Sequence, residues 1–275
     1  RVISDIYGIV RKAVNHGGLP EVAMYTVLLR RQDEIADVVA AFPKDKVTLA
    51  VAFSPRQITY AVAKDFEETF VAAFAAAGVR TMKLALDRPF NTPLCEPLIP
   101  AIRKFTTGWM KHEPACDVYS CATADRVPGG LKAAREDIAG RWAQPVRFEE
   151  TVRKMFADGY RVFLEVGPRG VLTSMIDEIL RGEEHAALAT DTVHRDGILQ
   201  VQNMIGQLAA LGQDLDPTPL FAHRRPRELD FDAPLSLEVR SETELRLSRE
   251  FPRLSLSETN ALLGSVMASA ADSTP

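Results

Sequence analysis

A serine can act as a nucleophile when a base lies within reach, and in strand-to-helix elbows it needs a glycine two residues to each side so that the hydroxyl stands clear of the backbone. No Gly-x-Ser-x-Gly occurs in the 275 residues, and Ser174 and Ser265 sit in helical or tail contexts without paired glycines. The five histidines, His16, His112, His185, His194 and His223, are scattered, and none has a His or Cys three residues on. His112 has Cys116 four residues on, but no further ligand is nearby. Surface or loop roles are therefore expected for the histidines, and no metal site. Cys116 and Cys121 flank a short predicted strand, Asp117–Ser120, and are expected to pack as small, soft side chains. Gly167-Pro168-Arg169-Gly170 falls between a strand-like and a helix-like segment, where backbone N–H groups can meet an anion. Pro168 removes one of those donors and the spacing fits neither a phosphate loop nor a dinucleotide fingerprint, so a tight turn is the expected use. Asp87-Arg88-Pro89-Phe90-Asn91-Thr92-Pro93 is a polar turn placed where a cleft between two lobes would open.

The elements that must position these residues follow from the apolar pattern. Residues 24–29 are β-branched and apolar, and Ile35, Val38 and Val39 then recur at helical spacing. Val47–Phe53 and Gln57–Val62 read as strands of a hairpin turned by Ser54-Pro55-Arg56. Asp65 with Glu68 resembles a capping box, Phe66, Phe70, Val71 and Phe74 share a helix face, and Gly78 offers a left-handed stop before a strand over 79–86. The order from 24 to 86 is β-α-β-β-α-β, which predicts a ferredoxin-like subdomain. Beyond it come a helix near 95–109, a short strand near 116–121, a helix from Phe148 to Asp158 and a strand over 161–166. A helix over 171–180, an apolar run at 186–189 and a helix over 197–211 complete the alternation of a parallel α/β layer. The fold class expected is α/β: a partial hydrolase-like parallel-sheet lobe carrying a ferredoxin-like insert.

Composition narrows the setting. With 33 Lys+Arg against 37 Asp+Glu, a net charge of −4 and 46% apolar residues, the chain has no electrostatic footprint for nucleic acid or an anionic membrane. No apolar stretch reaches the roughly 18 residues of a membrane span, and three cysteines are too few for a disulfide framework, which suits a cytoplasmic setting. The segment after Gly212 is rich in Asp, Pro and Arg and reads as a linker over 213–240, followed by a flexible tail over 241–275. The chain opens Arg1-Val2-Ile3-Ser4 as if inside a helix, which suggests a fragment or a processed piece.

Four segments in order resemble the acyltransferase domains of polyketide and fatty-acid synthases, the malonyl-CoA:acyl-carrier-protein transacylase family. Gln144-Pro145-Val146-Arg147-Phe148 leading to Phe163-Leu164-Glu165-Val166-Gly167-Pro168 is similar to the family's "PVRF … FLEVGP", and Ser54-Pro55-Arg56-Gln57 to its "SPxQ" hairpin. Ala77-Gly78-Val79-Arg80 with Phe90-Asn91-Thr92-Pro93-Leu94-Cys95-Glu96-Pro97 is similar to "AGV … FHSPLMEP". Gly206–Gly212, Pro219-Leu220-Phe221 and Arg224-Arg225-Pro226 resemble the segment that follows the acyltransferase in type I synthases. The resemblance covers about residues 1–235. It implies a partial acyltransferase lobe over 1–21 and 91–212 around a subdomain over 22–90.

In that family a serine in an elbow takes the acyl group from coenzyme A, a histidine after the insert activates it, an arginine holds an acyl carboxylate, and a Gln or Asn orients the histidine. Carried onto this chain, the elbow falls upstream of Arg1, Asn91 stands at the base position, Arg141 at the Gln/Asn position and Tyr7 at the arginine position. No catalytic residue of the set is intact. Phe90, Asn91 and Gly167 are the cleft residues the resemblance implies. The implied substrates are acyl- or malonyl-CoA with no bound cofactor, and the implied partners are acyl carrier protein and a neighbouring ketosynthase domain. Three roles stay open: an acyltransferase portion completed by other residues, an inactive docking module, and a hydrolytic or proofreading role that would still need a base. A sheet lacking its first strands is also expected to leave an unpaired edge prone to aggregation.

Overall fold

A computed structural model describes residues 2–15, 18–30 and 35–221. The chain divides into two units, Arg1–Pro217 and Thr218–Pro275.

The first unit opens in α1 (Val2–Asn15) and continues through β1 (Val22–Leu28), α2 (Ala36–Ala40), β2 (Val47–Ser54), β3 (Gln57–Ala63), α3 (Glu67–Ala76) and β4 (Arg80–Lys83). β1 is antiparallel to both β3 and β4, and β3 is antiparallel to β2, giving the order β4-β1-β3-β2. This is the ferredoxin-like arrangement that the order of elements predicts. Alternate side chains of β1 face opposite layers. Ala23, Tyr25 and Val27 join Phe70 and Phe74 of α3, while Val22 and Met24 join Ala50 and Ala61 on the other face. Both faces are covered, so six consecutive residues of β1 are buried, and the segment reads as an unbroken apolar run rather than an alternating one. Where a polar pair enters the interior it is satisfied across the strands: the hydroxyls of Thr26 and Thr59 lie 2.9 Å apart.

The capping box expected at Asp65 does not form. A 3-10 turn over Lys64–Phe66 precedes α3, Phe66 stands at the N-cap without a side-chain bond, and Asp65 accepts instead from Lys46 Nζ at 2.5 Å. A cation just ahead of β2 takes the carboxylate that the helix amides would have used. Gly78, at φ 70°, does supply the left-handed stop.

A 3-10 turn over Pro93–Leu98 leads into α4 (Ile99–Trp109), so the helix predicted from residue 95 begins as the tighter form, with Pro97 inside the turn. Next come the hairpin of β5 (Tyr119–Ser120) with β6 (Asp125–Arg126), α5 (Leu131–Gly140), a 3-10 turn over Arg141–Ala143 and β7 (Val146–Arg147). After these the chain forms α6 (Phe148–Ala157), β8 (Val162–Glu165), α7 (Val171–Ile179), β9 (Ala186–Ala189) and α8 (Gly197–Ala210). α5 was not anticipated because the residues it buries are two alanines, Ala134 and Ala139, which leave little periodic signal. The packing role expected for two cysteines is also corrected. Cys116 is exposed and Cys121 half-buried, and the buried thiol is Cys95.

β8 and β9 run parallel across α7, the layering expected of the larger lobe, and β7 adds to the first sheet parallel to β2 through Val51 and Val146. Among the described residues β8 has no strand on its other side, and Leu164 and Val166 are 44% and 82% exposed. Ser54 Oγ donates to Glu178 Oε1 on α7 at 3.2 Å, pinning the β2–β3 turn to this layer.

Of the second unit only α9 (Thr218–Phe221) is described. The tail expected over 241–275, His223, and most of the linker expected over 213–240 lie outside the described residues.

Candidate functional site

The turn after β4 is tied to itself. Thr92 Oγ1 and Cys95 Sγ both donate to the Pro89 carbonyl, at 2.6 and 3.1 Å, and the Cys95 amide donates to Thr92 O. Burial pushes the Cys95 thiol up to about 11, which keeps it protonated and inert. Phe90 packs edge-on against Trp142, with ring centroids 6.3 Å apart, beside Cys95, Leu98 and Ile102. Between these anchors Asn91 takes a left-handed backbone, φ 60°, a conformation that asparagine tolerates better than most residues.

From there the Asn91 side-chain nitrogen donates to the backbone carbonyl of Arg141 at 3.4 Å. The two residues share a cavity of about 200 Å³ with Tyr119, Cys121, Gln144 and Val146. Its far wall is β5, held at both ends. The Tyr119 hydroxyl donates to Asp158 at 2.6 Å, itself gripped by Lys154, and the Arg147 amide donates to Cys121 O at 2.7 Å. The Arg141 guanidinium is engaged with Asp137, so residue 141 offers its carbonyl, not its side chain, to position 91. The backbone carbonyl at 141 accepts whatever side chain the residue carries.

The chemistry open to Asn91 is narrow. Its amide nitrogen is committed as a donor, and its Oδ1 can accept a hydrogen bond and orient a hydroxyl. A carboxamide does not take up a proton near neutral pH, so the group cannot act as a general base.

Other expected site residues fall elsewhere. Phe90 supports the turn through Trp142 and does not line the cavity, because its ring is used in packing. Tyr7 is 66% exposed on α1 and is not part of the cavity. Gly167 is also separate, since its amide donates to Thr190 Oγ1 at 3.2 Å. Asn91 and Arg141 are the expected pair that the fold brings together. Tyr119 and Gln144 were passed over as site residues, although their positions beside the "PVRF" segment and the predicted short strand were the available signal.

The loop over 167–170 is a turn with its own anion. Arg169 and Gly170 are consecutive left-handed residues, at φ 83° and 66°, and a Cβ on Gly170 would approach the Ala189 Cβ to 3.3 Å. Glu165 reaches over the turn and accepts from the amides of Val171 and Thr173, at 3.1 and 2.8 Å, and from the Thr173 hydroxyl at 2.8 Å. The amides at the start of α7 are thus satisfied by this carboxylate. Burial works to raise the Glu165 carboxyl, but the bonds from Thr173, Leu172 and Val171 outweigh it, and the net shift is downward. A depressed folded pKa contributes stability above the unfolded value, about 4.3, and that contribution is lost as the pH falls through the folded value. Glu165→Ala is expected to cost about 0.5–2 kcal/mol at pH 7, with the difference from the native chain shrinking toward pH 3; urea unfolding at the two pH values measures it.

Among the described residues no group of three or more His, Cys, Asp or Glu is placed to hold a metal, and no helix is long and apolar enough to cross a membrane.

Comparison with known proteins places this geometry. The acyl transferase domain family matches residues 19–212. The polyketide synthase GfsA of Streptomyces halstedii is 26% identical over 200 residues, covering 72% of this chain and 3% of that protein. The solved acyltransferase domain from the second module of the salinomycin polyketide synthase has a TM-score of 0.61 at 27% identity, covering 76% of this chain and 48% of that one. A malonyl-transacylase solved with its type II polyketide synthase acyl-carrier protein has a TM-score of 0.62 at 22% identity, covering 75% of this chain and 64% of that one, which speaks for the fold alone. This chain therefore spans about half to two-thirds of these solved relatives and a small part of the curated one. The matched span takes in the βαββαβ sheet, the Asn91 turn and the β8–α7–β9 layer, and the chain belongs to the acyl transferase domain family.

Proposed function

We propose that these residues are part of the acyltransferase domain of a polyketide synthase, in which positions 22–90 form the insert and 1–21 with 91–212 belong to the larger lobe. In this reading the domain meets acyl- or malonyl-CoA and an acyl carrier protein in the cytoplasm, beside a ketosynthase domain, and needs no bound cofactor. The domain is of the kind that moves an acyl or malonyl group from coenzyme A to the carrier, and in this chain we read it as an inactive form that serves as a structural and docking module between synthase domains. The observation that carries this reading is the Asn91 side chain, which donates to the Arg141 carbonyl; by the resemblance alone, residue 91 stands where the family has its base. A hydroxyl facing Asn91 can be held but not deprotonated, so the step that makes a serine nucleophilic lacks its proton acceptor.

One observation favours a second reading, in which transfer proceeds with residues supplied from outside these 275. The carbonyl at 141 still faces position 91 as a base would require. The test is loading of a holo acyl carrier protein from malonyl-CoA by the longest natural polypeptide carrying these residues, followed by mass spectrometry of the carrier. No loading above the protein-free rate is expected, and catalysed loading would overturn the docking reading in favour of the second.

A further inference from the structure

The cavity beside Asn91 holds polar atoms whose hydrogen bonds are incomplete. The Arg141 carbonyl can only accept, so it fixes which way the Asn91 amide turns: Nδ2 donates to it at 3.4 Å, and Oδ1 is left as an acceptor without a donor among the described residues. Ser120 lines the same cavity and is 2% exposed. Its hydroxyl accepts from the Ala122 amide at 3.2 Å, while its own proton has no acceptor among the described residues. Gln144 stands in the lining at an exposed position, and its carboxamide, with both donors and an acceptor, makes no hydrogen bond among the described residues. Two other polar groups of the lining are taken. The Tyr119 hydroxyl donates to Asp158, and Arg141, the one charged residue of the lining among those described, is paired with Asp137.

A ligand that completes these bonds offers an acceptor to Ser120, a donor to Asn91 and a further pair to Gln144. A primary carboxamide carries all of these on one planar group, lone pairs on its oxygen and two protons on its nitrogen. A carboxylate fits badly. It brings no proton for Asn91 Oδ1, which would face it lone pair to lone pair, and the cation in the lining is already neutralised by Asp137. At about 200 Å³ the cavity is smaller than the sites of drug-sized ligands, which begin at about 300 Å³, and it suits the end of a molecule. We propose that this cavity binds a neutral ligand ending in a primary carboxamide, its oxygen on Ser120, its nitrogen on Asn91 and its outer edge on Gln144. The proposal rests on the reading of Asn91 as a hydrogen-bonding group that takes up no proton, and adds what that group recognises.

Saturation-transfer NMR titration of the full 275-residue chain with propionamide, propionate and 1-propanol tests the proposal. The probes are similar in size and differ in charge and in the donors and acceptors they carry. Saturable binding of propionamide is expected, about tenfold or more tighter than that of propionate or 1-propanol, the order of one hydrogen bond lost with its partner left unsatisfied. Asn91→Gly, which keeps the left-handed backbone at no steric cost, and Ser120→Ala are each expected to lower propionamide affinity about tenfold. Gln144→Ala, at an exposed position, repeats the test without disturbing the interior and is expected to lower it about threefold. Propionate or 1-propanol binding as tightly as propionamide, absence of saturable propionamide binding, or affinity unchanged in both Asn91→Gly and Gln144→Ala overturns the proposal. Propionamide carries no activated acyl group, so failure here leaves the reading of the domain as inactive in place, and catalysed carrier loading would overturn that reading without altering this titration.

Discussion

Asn91→His is expected to raise acyl transfer by about 10²- to 10⁴-fold, the usual contribution of a positioned general base, in a polypeptide that carries the family's serine elbow ahead of residue 1. The expectation follows from what the turn already provides. Thr92 and Cys95 hold the backbone through Pro89, and the Arg141 carbonyl stands 3.4 Å from the side-chain nitrogen of residue 91. An imidazole there can donate one ring N–H to that carbonyl and keep the other nitrogen as an acceptor. Transfer by the variant should rise with pH through about 6.5, the ordinary histidine value, because only the neutral ring accepts a proton. The native chain should show no such inflection. A variant that folds and binds malonyl-CoA but gains nothing would show that position 91 is not the base position.

The largest loss of stability is expected from Phe70→Ala. Phe70 is fully buried and makes ring contacts with Phe74, Tyr25, Phe42 and Tyr60, with centroids 4.7 to 6.1 Å apart. Truncation leaves a cavity where the β1 and β3 face meets α3, at a cost of about 3–5 kcal/mol. Against a total stability of about 5–15 kcal/mol this is enough to unfold a marginal chain. Urea unfolding followed by circular dichroism measures it. Met82→Ala, at a residue 48% exposed on β4, serves as the comparison and is expected to change stability by about 0.5 kcal/mol or less. Equal losses for the two variants would contradict the place given to Phe70 in the core.

The ferredoxin-like insert was legible because its signals are local. Ser54-Pro55-Arg56 makes a hairpin turn, β-branched runs make strands, and Phe70 with Phe74 marks a helix face. Asp65 misled because the competing partner, Lys46, is 19 residues away and nothing in a capping pattern registers it. α5 escaped because alanines carry little periodic contrast. At the site, motif order located Asn91 and Arg141, but it could not show that the contact runs through a backbone carbonyl, which leaves no trace in residue type. Phe90 and Gly167 were drawn into the expected cleft by adjacency to motifs. Their contacts with Trp142 and Thr190 are long-range and visible only in three dimensions. The Gly167–Gly170 turn was read as structural on the strength of Pro168, and Glu165 supplies the further reason.

The central claim is that position 91 carries a hydrogen-bonding group where the family places a proton acceptor. Its most direct test is intact-mass measurement of covalent acyl adduct after brief exposure to malonyl-CoA, comparing a polypeptide in which these residues are joined to a family serine elbow with its Asn91→His form. The account predicts no adduct on the Asn91 form above the level in a control whose elbow serine is alanine, and adduct accumulating on the Asn91→His form within the same interval. Adduct forming on the Asn91 form as fast as on the variant would contradict it.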